Sequence, residues 1–361
     1  MREGRPALAI LFGGRSAEHE VSCASAASVM AVVDRGRYDL YPVYIGRDGE
    51  WRLLPSPEAA PSEGRPVLPP GQPTERRLLS TQGEPLSPPL DIVFPLLHGT
   101  YGEDGTLQGL MELAGIALVG SGTLGAALSM DKSIAKVLFA AAGIPVLRAR
   151  VIRKGEWVAD RGGVTDSLVL DLPFPLFAKP ARLGSSVGVH RADNPEMLGW
   201  AVDEALAYDP KVLVEECAGG REVECAILAS LDGGPPIASP LAEVRPKRGW
   251  YDYEAKYTEG LTDILIPASL PAEVEARIQE LARRAFAALD CAGYARADFF
   301  YRESAGEVFL NEVNSIPGFT ATSVFPRLMA AAGIRYAELV ERLLRLALLR
   351  QQEEKGRRFS R

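Results

Sequence analysis

Residues 7–14 read "ALAILFGG". Six apolar residues in a row, with no polar alternate, describe a buried strand of the kind found in parallel sheets. The glycine pair supplies a turn, and "RSAEHEVS" opens a helix with Ser16 as its expected N-cap. "DLYPVYI", "DIVFPLLHG" and "IALVG" read as further strands, and "EDGTLQGLMELAG" as a short helix ending at Gly115. Strands alternating with helices give a parallel α/β unit over roughly residues 1–120. Residues 52–90 carry many prolines and almost no period, and read as a loop or insertion with no core of its own.

A second, smaller unit is expected over residues 121–215. It comprises the helix "SMDKSIAKVLFAAAGIP" with Ser129 as N-cap, the strand "FPLFAKP", a helix capped by Asn194 with Pro195 in its first turn, and the strand "KVLVEECA". Residues 216–361 hold the strands "REVECAILAS", "ASPLAEV", "YARADFFYR" and "EVFLNEVN", a long helix from about residue 271, and two C-terminal helices. The basic tail after about residue 350 is expected to fray. A length of 361 residues suits two to three packed units.

The charge balance removes some classes of partner. There are 47 acidic and 40 basic residues, a net charge of −7, and no run of Lys/Arg offsets it. Nucleic acid is therefore not an expected partner. "ALAILF" is too short for a signal-peptide core, and no segment approaches the ~20 apolar residues of a membrane span. A cytoplasmic protein without a membrane partner is expected. Cys23, Cys217, Cys225 and Cys291 show no CxxC spacing and read as small buried hydrophobes in a reducing compartment. With only His19, His98 and His190 available, a metal would be a hard cation on oxygen ligands.

Four constellations bear on chemistry. If "YARADFFYR" and "EVFLNEVN" form a hairpin centred near Ala305, Asp298 faces Glu312, Arg296 faces Asn314, and all four share one face. Opposed carboxylates repel. A divalent cation removes that conflict, and these oxygens suit Mg²⁺; the alternative is a solvated face on which Arg296 neutralises the acids. In "AKPARLGSSVGV", Lys179 precedes a Gly/Ser turn whose N–H groups can cradle phosphate; the alternative is a hairpin turn with a surface lysine. "GSGTLG" at residues 120–125 has the dinucleotide-binding spacing but lacks the acid about twenty residues on, so it reads as a tight strand-to-helix turn. Glu18 and Glu20 fall near a helix start, where the dipole favours acids. Glu18 can alternatively point over the strand ends, where α/β sheets bind ligands.

The segments "GGRSAEHEVS", "LLHGTYGEDGTLQG", "SMDK", "KPARLGSSVGV", "EAKY", "ARADFF" and "NEVNSIPGFT" occur in that order. Together they closely resemble the D-alanine–D-alanine ligases of the ATP-grasp superfamily, from about residue 7 to residue 340. The resemblance implies a three-domain ATP-grasp fold, of α/β and α+β class, with an N-terminal parallel α/β domain (1–120), a central subdomain (121–215) and a C-terminal catalytic domain (216–361). It implies an ATP-dependent ligase that makes D-alanyl-D-alanine through a D-alanyl phosphate, for peptidoglycan synthesis.

The roles that follow are those the resemblance implies. Lys132, Lys179 and the Ser185–Ser186 turn contact the ATP phosphates. Glu215 and Glu222 hold adenine and ribose. Asp298, Glu312 and Asn314 carry Mg²⁺, with Mn²⁺ as an acceptable substitute. Glu18 pairs the ammonium of the first D-alanine, beside His98. Arg296 and the Gly318 N–H receive the oxyanion, Ser323 the second carboxylate. A network from Glu18 through Ser185 to Tyr257 lies near the reacting amine. The family is commonly dimeric, so a homodimer is expected. The runner-up is a D-alanine–D-lactate ligase, whose members tend to replace the tyrosine of "EAKY"; Tyr257 is present here. The alternating "YDYEAKY" at 251–257 reads alone as an edge strand. Within the motif series it is expected instead to be a partly irregular lid that presents Lys256 to phosphate or to a substrate carboxylate and excludes water.

Overall fold

A computed structural model describes residues 4–247, 258 and 260–356. The lid segment with Lys256 and Tyr257, and the tail beyond Gly356, lie outside the described residues.

The first sheet contains β1 (Ala7–Gly13), β2 (Asp39–Ile45), β3 (Trp51–Leu53), β4 (Arg65–Pro66), β5 (Ile92–Pro95) and β6 (Ala117–Leu118), in the order β4-β3-β2-β1-β5-β6. The strands β2, β1, β5 and β6 pair in parallel. All seven residues of β1 are buried. Leu8, Ile10 and Phe12 enter one core, whereas Ala7, Ala9 and Leu11 enter the opposite one. Burying each of these large side chains contributes about 1.5–3 kcal/mol. Gly13 has φ +91°, and a Cβ there would lie 2.3 Å from the Ile45 carbonyl, so the turn after β1 admits no side chain.

Helix α1 (His19–Met30) begins at His19, three residues beyond Ser16. The expected Ser16 cap is corrected: its Oγ accepts the Glu18 N–H at 3.2 Å and donates to the His98 carbonyl at 2.7 Å. Residues 52–90 form no core of their own, as expected, but they are more than a loop. They add the antiparallel edge strands β3 and β4, and Val67, Leu78 and Leu90 are buried in the first sheet's core. Isolated apolar residues between prolines carry no period, so this contribution had no sequence signal.

Helices α2 (Thr106–Leu113), α3 (Thr123–Met130) and α4 (Lys132–Ala141) follow. Ser129 lies inside α3; the cap of α4 is Asp131, whose side chain accepts from the Ser133 and Ile134 N–H groups. Beyond them, β7 (Ala149–Arg153), β8 (Leu176–Pro180), β9 (His190–Ala192) and β10 (Lys211–Glu216) form an antiparallel sheet in the order β7-β10-β8-β9. It is covered by α5 (Lys154–Ala159), α6 (Arg161–Asp171) and α7 (Pro195–Tyr208), the last capped by Asn194. The apolar face of α4, with Ala135 and Phe139, packs not here but in the core of the third sheet.

The third sheet has β11 (Arg221–Leu228), β12 (Ile237–Pro246), β13 (Thr262–Leu265), β14 (Tyr294–Arg302) and β15 (Glu307–Asn314), ordered β13-β12-β11-β14-β15 and antiparallel. Helix α8 (Ala272–Ala288) covers one face. Helices α9 (Val324–Ala331) and α10 (Tyr336–Lys355) join the core shared with the first sheet. Of the tail expected to fray after about residue 350, the described part is ordered: α10 continues to Lys355, with Arg350 donating to the Gly120 carbonyl and Gln351 to that of Gly115; residues 357–361 lie outside the described residues.

The shared core contains Phe94 of β5, Tyr294 of β14, Phe319 and Phe325, all fully buried. Phe325 packs 5.3 Å from the Tyr294 ring and 5.7 Å from that of Phe319. Phe325→Ala is expected to lower stability by about 3–5 kcal/mol, because the site cannot collapse around the cavity. Chemical denaturation measures this; a loss below about 1 kcal/mol would mean that these rings do not join the two sheets energetically.

Candidate active site

Alternation along β14 sorts its residues. Ala295, Ala297, Phe299 and Tyr301 enter the core, so Arg296 and Asp298 face the other way. The register is the expected one: Asp298 pairs with Glu312 and Arg296 with Asn314. A bulge follows at once, since Phe299 pairs with Leu310 and Asn311 is the extra residue. Arg296 holds Asp298 through two contacts of 2.7 Å, and Asn314 Nδ2 donates to Asp298 Oδ2 at 2.9 Å. Arg296 Nε also lies 3.2 Å from Glu224 Oε2. Glu312 lies 3.1 Å from Lys132 Nζ. The opposed carboxylates thus each have a cation beside them. The donor set fits a hard divalent cation: two carboxylates and an amide carbonyl on one face, with both carboxylates lining a large cavity. Among the described residues no group of three or more His, Cys, Asp or Glu forms a closed cage, so water or phosphate oxygens would complete such a shell.

That cavity has a volume of about 560 Å³ and lies between the second and third sheets. Lys132, Lys179, Ser185, Ser186, Glu215 and Glu222 all line it. Lys132, in the first turn of α4, donates to the Leu183 carbonyl at 2.6 Å. Lys179 on β8 pairs with Glu215 on β10. Burial opposes the charge on Lys179, but the Glu215 carboxylate holds the lysine above its ordinary range. Glu215 is only 1% exposed. Burial alone would raise its pKa; Lys136 and Lys179 together hold it at about 2. Lys136 Nζ lies 3.0 Å from Glu215 Oε2. Ser185 and Ser186 have φ of +52° and +56°, a left-handed backbone that side chains disfavour. Strain of this kind gathers at ligand-binding loops.

The first sheet's unit meets this site at the Gly/Ser turn. The Ser185 hydroxyl donates to Glu18 Oε1, joining the Gly/Ser turn to the start of α1. His98 is buried; its Nδ1 faces the Ile316 carbonyl at 3.0 Å, and its Nε2 faces Ser25 Oγ at 3.3 Å. A carbonyl only accepts, so Nδ1 carries the proton. Burial lowers the His98 pKa and keeps the ring neutral. Gly318 follows Ile316 by two residues, and a Cβ there would lie 3.2 Å from Ser323 Oγ. The Ser323 hydroxyl lies 2.7 Å from Thr320 Oγ1 at the start of α9.

Family models described as "D-ala D-ala ligase N-terminus" and "D-ala D-ala ligase C-terminus" match residues 7–121 and 138–345. This chain belongs to the D-alanine–D-alanine ligase family. A D-alanine–D-alanine ligase of Deinococcus radiodurans is 48% identical over 341 residues, which cover 94% of this chain and 97% of that relative. D-alanine–D-alanine ligase A of Mesorhizobium japonicum is 46% identical over 356 residues, covering 95% and 97%. The structure of the VanG D-Ala:D-Ser ligase from Enterococcus faecalis matches with a TM-score of 0.85 at 36% identity, covering 95% of this chain and 100% of that one. The D-alanine–D-alanine ligase from Coxiella burnetii matches with a TM-score of 0.84 at 32% identity, covering 97% and 96%. The fold is that of the three-domain ATP-grasp ligases, as expected. No helix among the described residues is long and apolar enough to cross a membrane.

The structure brings together Glu18, Ser185, Lys132, Lys179, Glu215, Asp298 and Glu312, all named from this family's motifs. Tyr257 and Lys256 lie outside the described residues. Two participants went unrecognised in the sequence. Lys136 stands four residues after Lys132, one helical turn along, and that spacing was its only signal. Glu103 lies within "YGEDG"; its carboxylate approaches His98 Nδ1 at 4.0 Å. The cysteines are also less uniform than expected: Cys225 is buried, but Cys217 is half-buried and lines the cavity.

Burial and the nearby Glu18 carboxylate push Glu103 well above the usual carboxylate range, against the opposing Gly99 N–H bond. The ordinary value is 4.5. A group raised on folding contributes stability that is fully present below that pH and is lost as pH rises towards its folded value. Glu103→Gln, neutral throughout, is therefore expected to gain in melting temperature on the wild type as pH rises above 4.5. A constant difference across that range would show that Glu103 does not titrate this way.

Proposed function

We propose that this chain joins two D-alanines into D-alanyl-D-alanine at the expense of ATP, for peptidoglycan precursor synthesis in the cytoplasm. The observation that carries the reading is the Ser185–Glu18 hydrogen bond. It sets a carboxylate able to pair an amino-acid ammonium directly against a phosphate-cradling turn. An amino acid held at Glu18 thus has its own carboxylate within reach of a terminal phosphate.

The steps follow from that juxtaposition. The carboxylate of the first D-alanine attacks the γ-phosphorus, ADP departs, and an acyl phosphate forms. The second amine, having lost a proton, attacks the acyl carbon; the tetrahedral intermediate collapses and expels phosphate. Lys132 and Lys179 offer point charges to the phosphates, and Ser185 and Ser186 hold the turn around them. Glu215 and Glu222 face adenine and ribose. Arg296 and the Gly318 N–H stabilise the oxyanion, where preorganised donors are most effective. Ser323 receives the second carboxylate. Neutral His98 supports the first substrate beside Glu18. By family resemblance, Lys256 is assigned to phosphate or a substrate carboxylate, and Tyr257 to the network with Glu18 and Ser185 near the reacting amine. Asp298, Glu312 and Asn314 would hold Mg²⁺, which supplies charge neutralisation at the transferring phosphoryl group. Residues 1–120, 121–215 and 216–361 are read as the three domains, and a homodimer as the assembly.

Purified protein is expected to release phosphate from ATP in proportion to added D-alanine; equal stimulation by L-alanine would overturn the substrate assignment. In the same assay D-alanine should outcompete D-lactate and D-serine as second substrate, and dominant depsipeptide or mixed-dipeptide product would favour the alternatives. Asp298→Asn or Glu312→Gln is expected to lower turnover by about 10²–10³-fold or more, the loss expected when one electrostatic stabiliser is removed. Near-normal turnover in either would sink the metal assignment.

A further inference from the structure

Glu215 has two lysines and needs only one. Its carboxylate meets Lys179 from β8 and Lys136 from α4. The two lysines differ in placement: Lys179 lines the cavity, whereas Lys136 is 7% exposed and does not line it. Lys136 therefore has no path to a phosphate. Lys179 has one, but to take it the lysine must leave a carboxylate that is 1% exposed. A buried charge stripped of its partner is strongly unfavourable, and that penalty would lock a lone Lys179 onto Glu215.

We propose that Lys136 is the standing counter-ion of Glu215, a positioning residue that keeps this carboxylate paired and so releases Lys179 to the phosphates of ATP. This rests on reading Lys179 as a phosphate-binding lysine. Lys136 sits one turn beyond Lys132, so a single helix delivers one lysine to the cavity and another behind it. The same contact preserves Glu215 as a charged acceptor for an adenine amino group.

A double-mutant cycle tests the proposal. Lys136→Met is expected to raise KM for ATP about tenfold or more, as loss of an outer partner commonly does, while KM for D-alanine changes by less than about twofold. Lys136→Arg, which keeps the charge, should recover most of the loss. In a Glu215→Gln background, where no carboxylate needs pairing, Lys136→Met should add no further loss. An equal loss in both backgrounds, or an unchanged KM for ATP in folded Lys136→Met, would overturn the proposal. If Lys136→Met alone does not fold, the double variant decides: folding restored with Glu215→Gln supports the counter-ion role, and failure to fold there refutes it. Lys179→Met separates the two readings. Should it leave KM for ATP unchanged, the phosphate role of Lys179 fails and this inference with it. Should it raise that KM while Lys136→Met does not, only the inference fails.

Discussion

The rings of Phe94, Tyr294, Phe319 and Phe325 hold the first sheet against the third. Phe319 packs 5.6 Å from Phe94 and 5.4 Å from Tyr294. Each anchor is close in sequence to a group at the site: His98 follows Phe94, Arg296 follows Tyr294, and Gly318 precedes Phe319. A close-packed core of this kind does not deform continuously. The distance between the acid that would take an ammonium and the donors that would take an oxyanion is therefore set by aromatic packing. Polar contacts reinforce it: His98 Nδ1 donates to the Ile316 carbonyl, and the Phe319 N–H to Ser25 Oγ.

Around that frame the electrostatics follow one rule. Lys132 stands against Glu312, Lys179 against Glu215, and Arg296 against Asp298. Groups assigned to phosphate, metal, adenine and oxyanion are thus already paired with one another. In a partly buried site of low effective dielectric an unpaired charge is expensive, so the pairs keep the charged groups folded and in position. The strained Ser185–Ser186 turn adds a different element. Through the Ser185–Glu18 contact, this turn ties the second sheet's unit to the start of α1.

Much of this was legible in the sequence. The apolar run of β1 announced a doubly covered strand, and its alternate residues do enter two cores. The hairpin register of Asp298 against Glu312 followed from strand periodicity and a short turn. Residues 52–90 were illegible, because Val67, Leu78 and Leu90 are scattered among prolines and find their core only through contacts distant in the chain. The caps misread at Ser16 and Ser129 have a common cause. Several hydroxyl and carboxyl side chains stood within one turn of each helix start, and backbone geometry chose among them.

The sequence by itself determined the strands and helices with a clear period, the face on which the catalytic-type acids lie, and the family, because period and motif order are local properties of the chain. Only the tertiary structure decided which charges meet. That Lys136 and Lys179 share Glu215, that Ser185 reaches Glu18 across 167 residues, and that Glu103 lies by His98 are outcomes of packing. They depend on how the three sheets pack against one another, and no spacing along the chain encodes that distance.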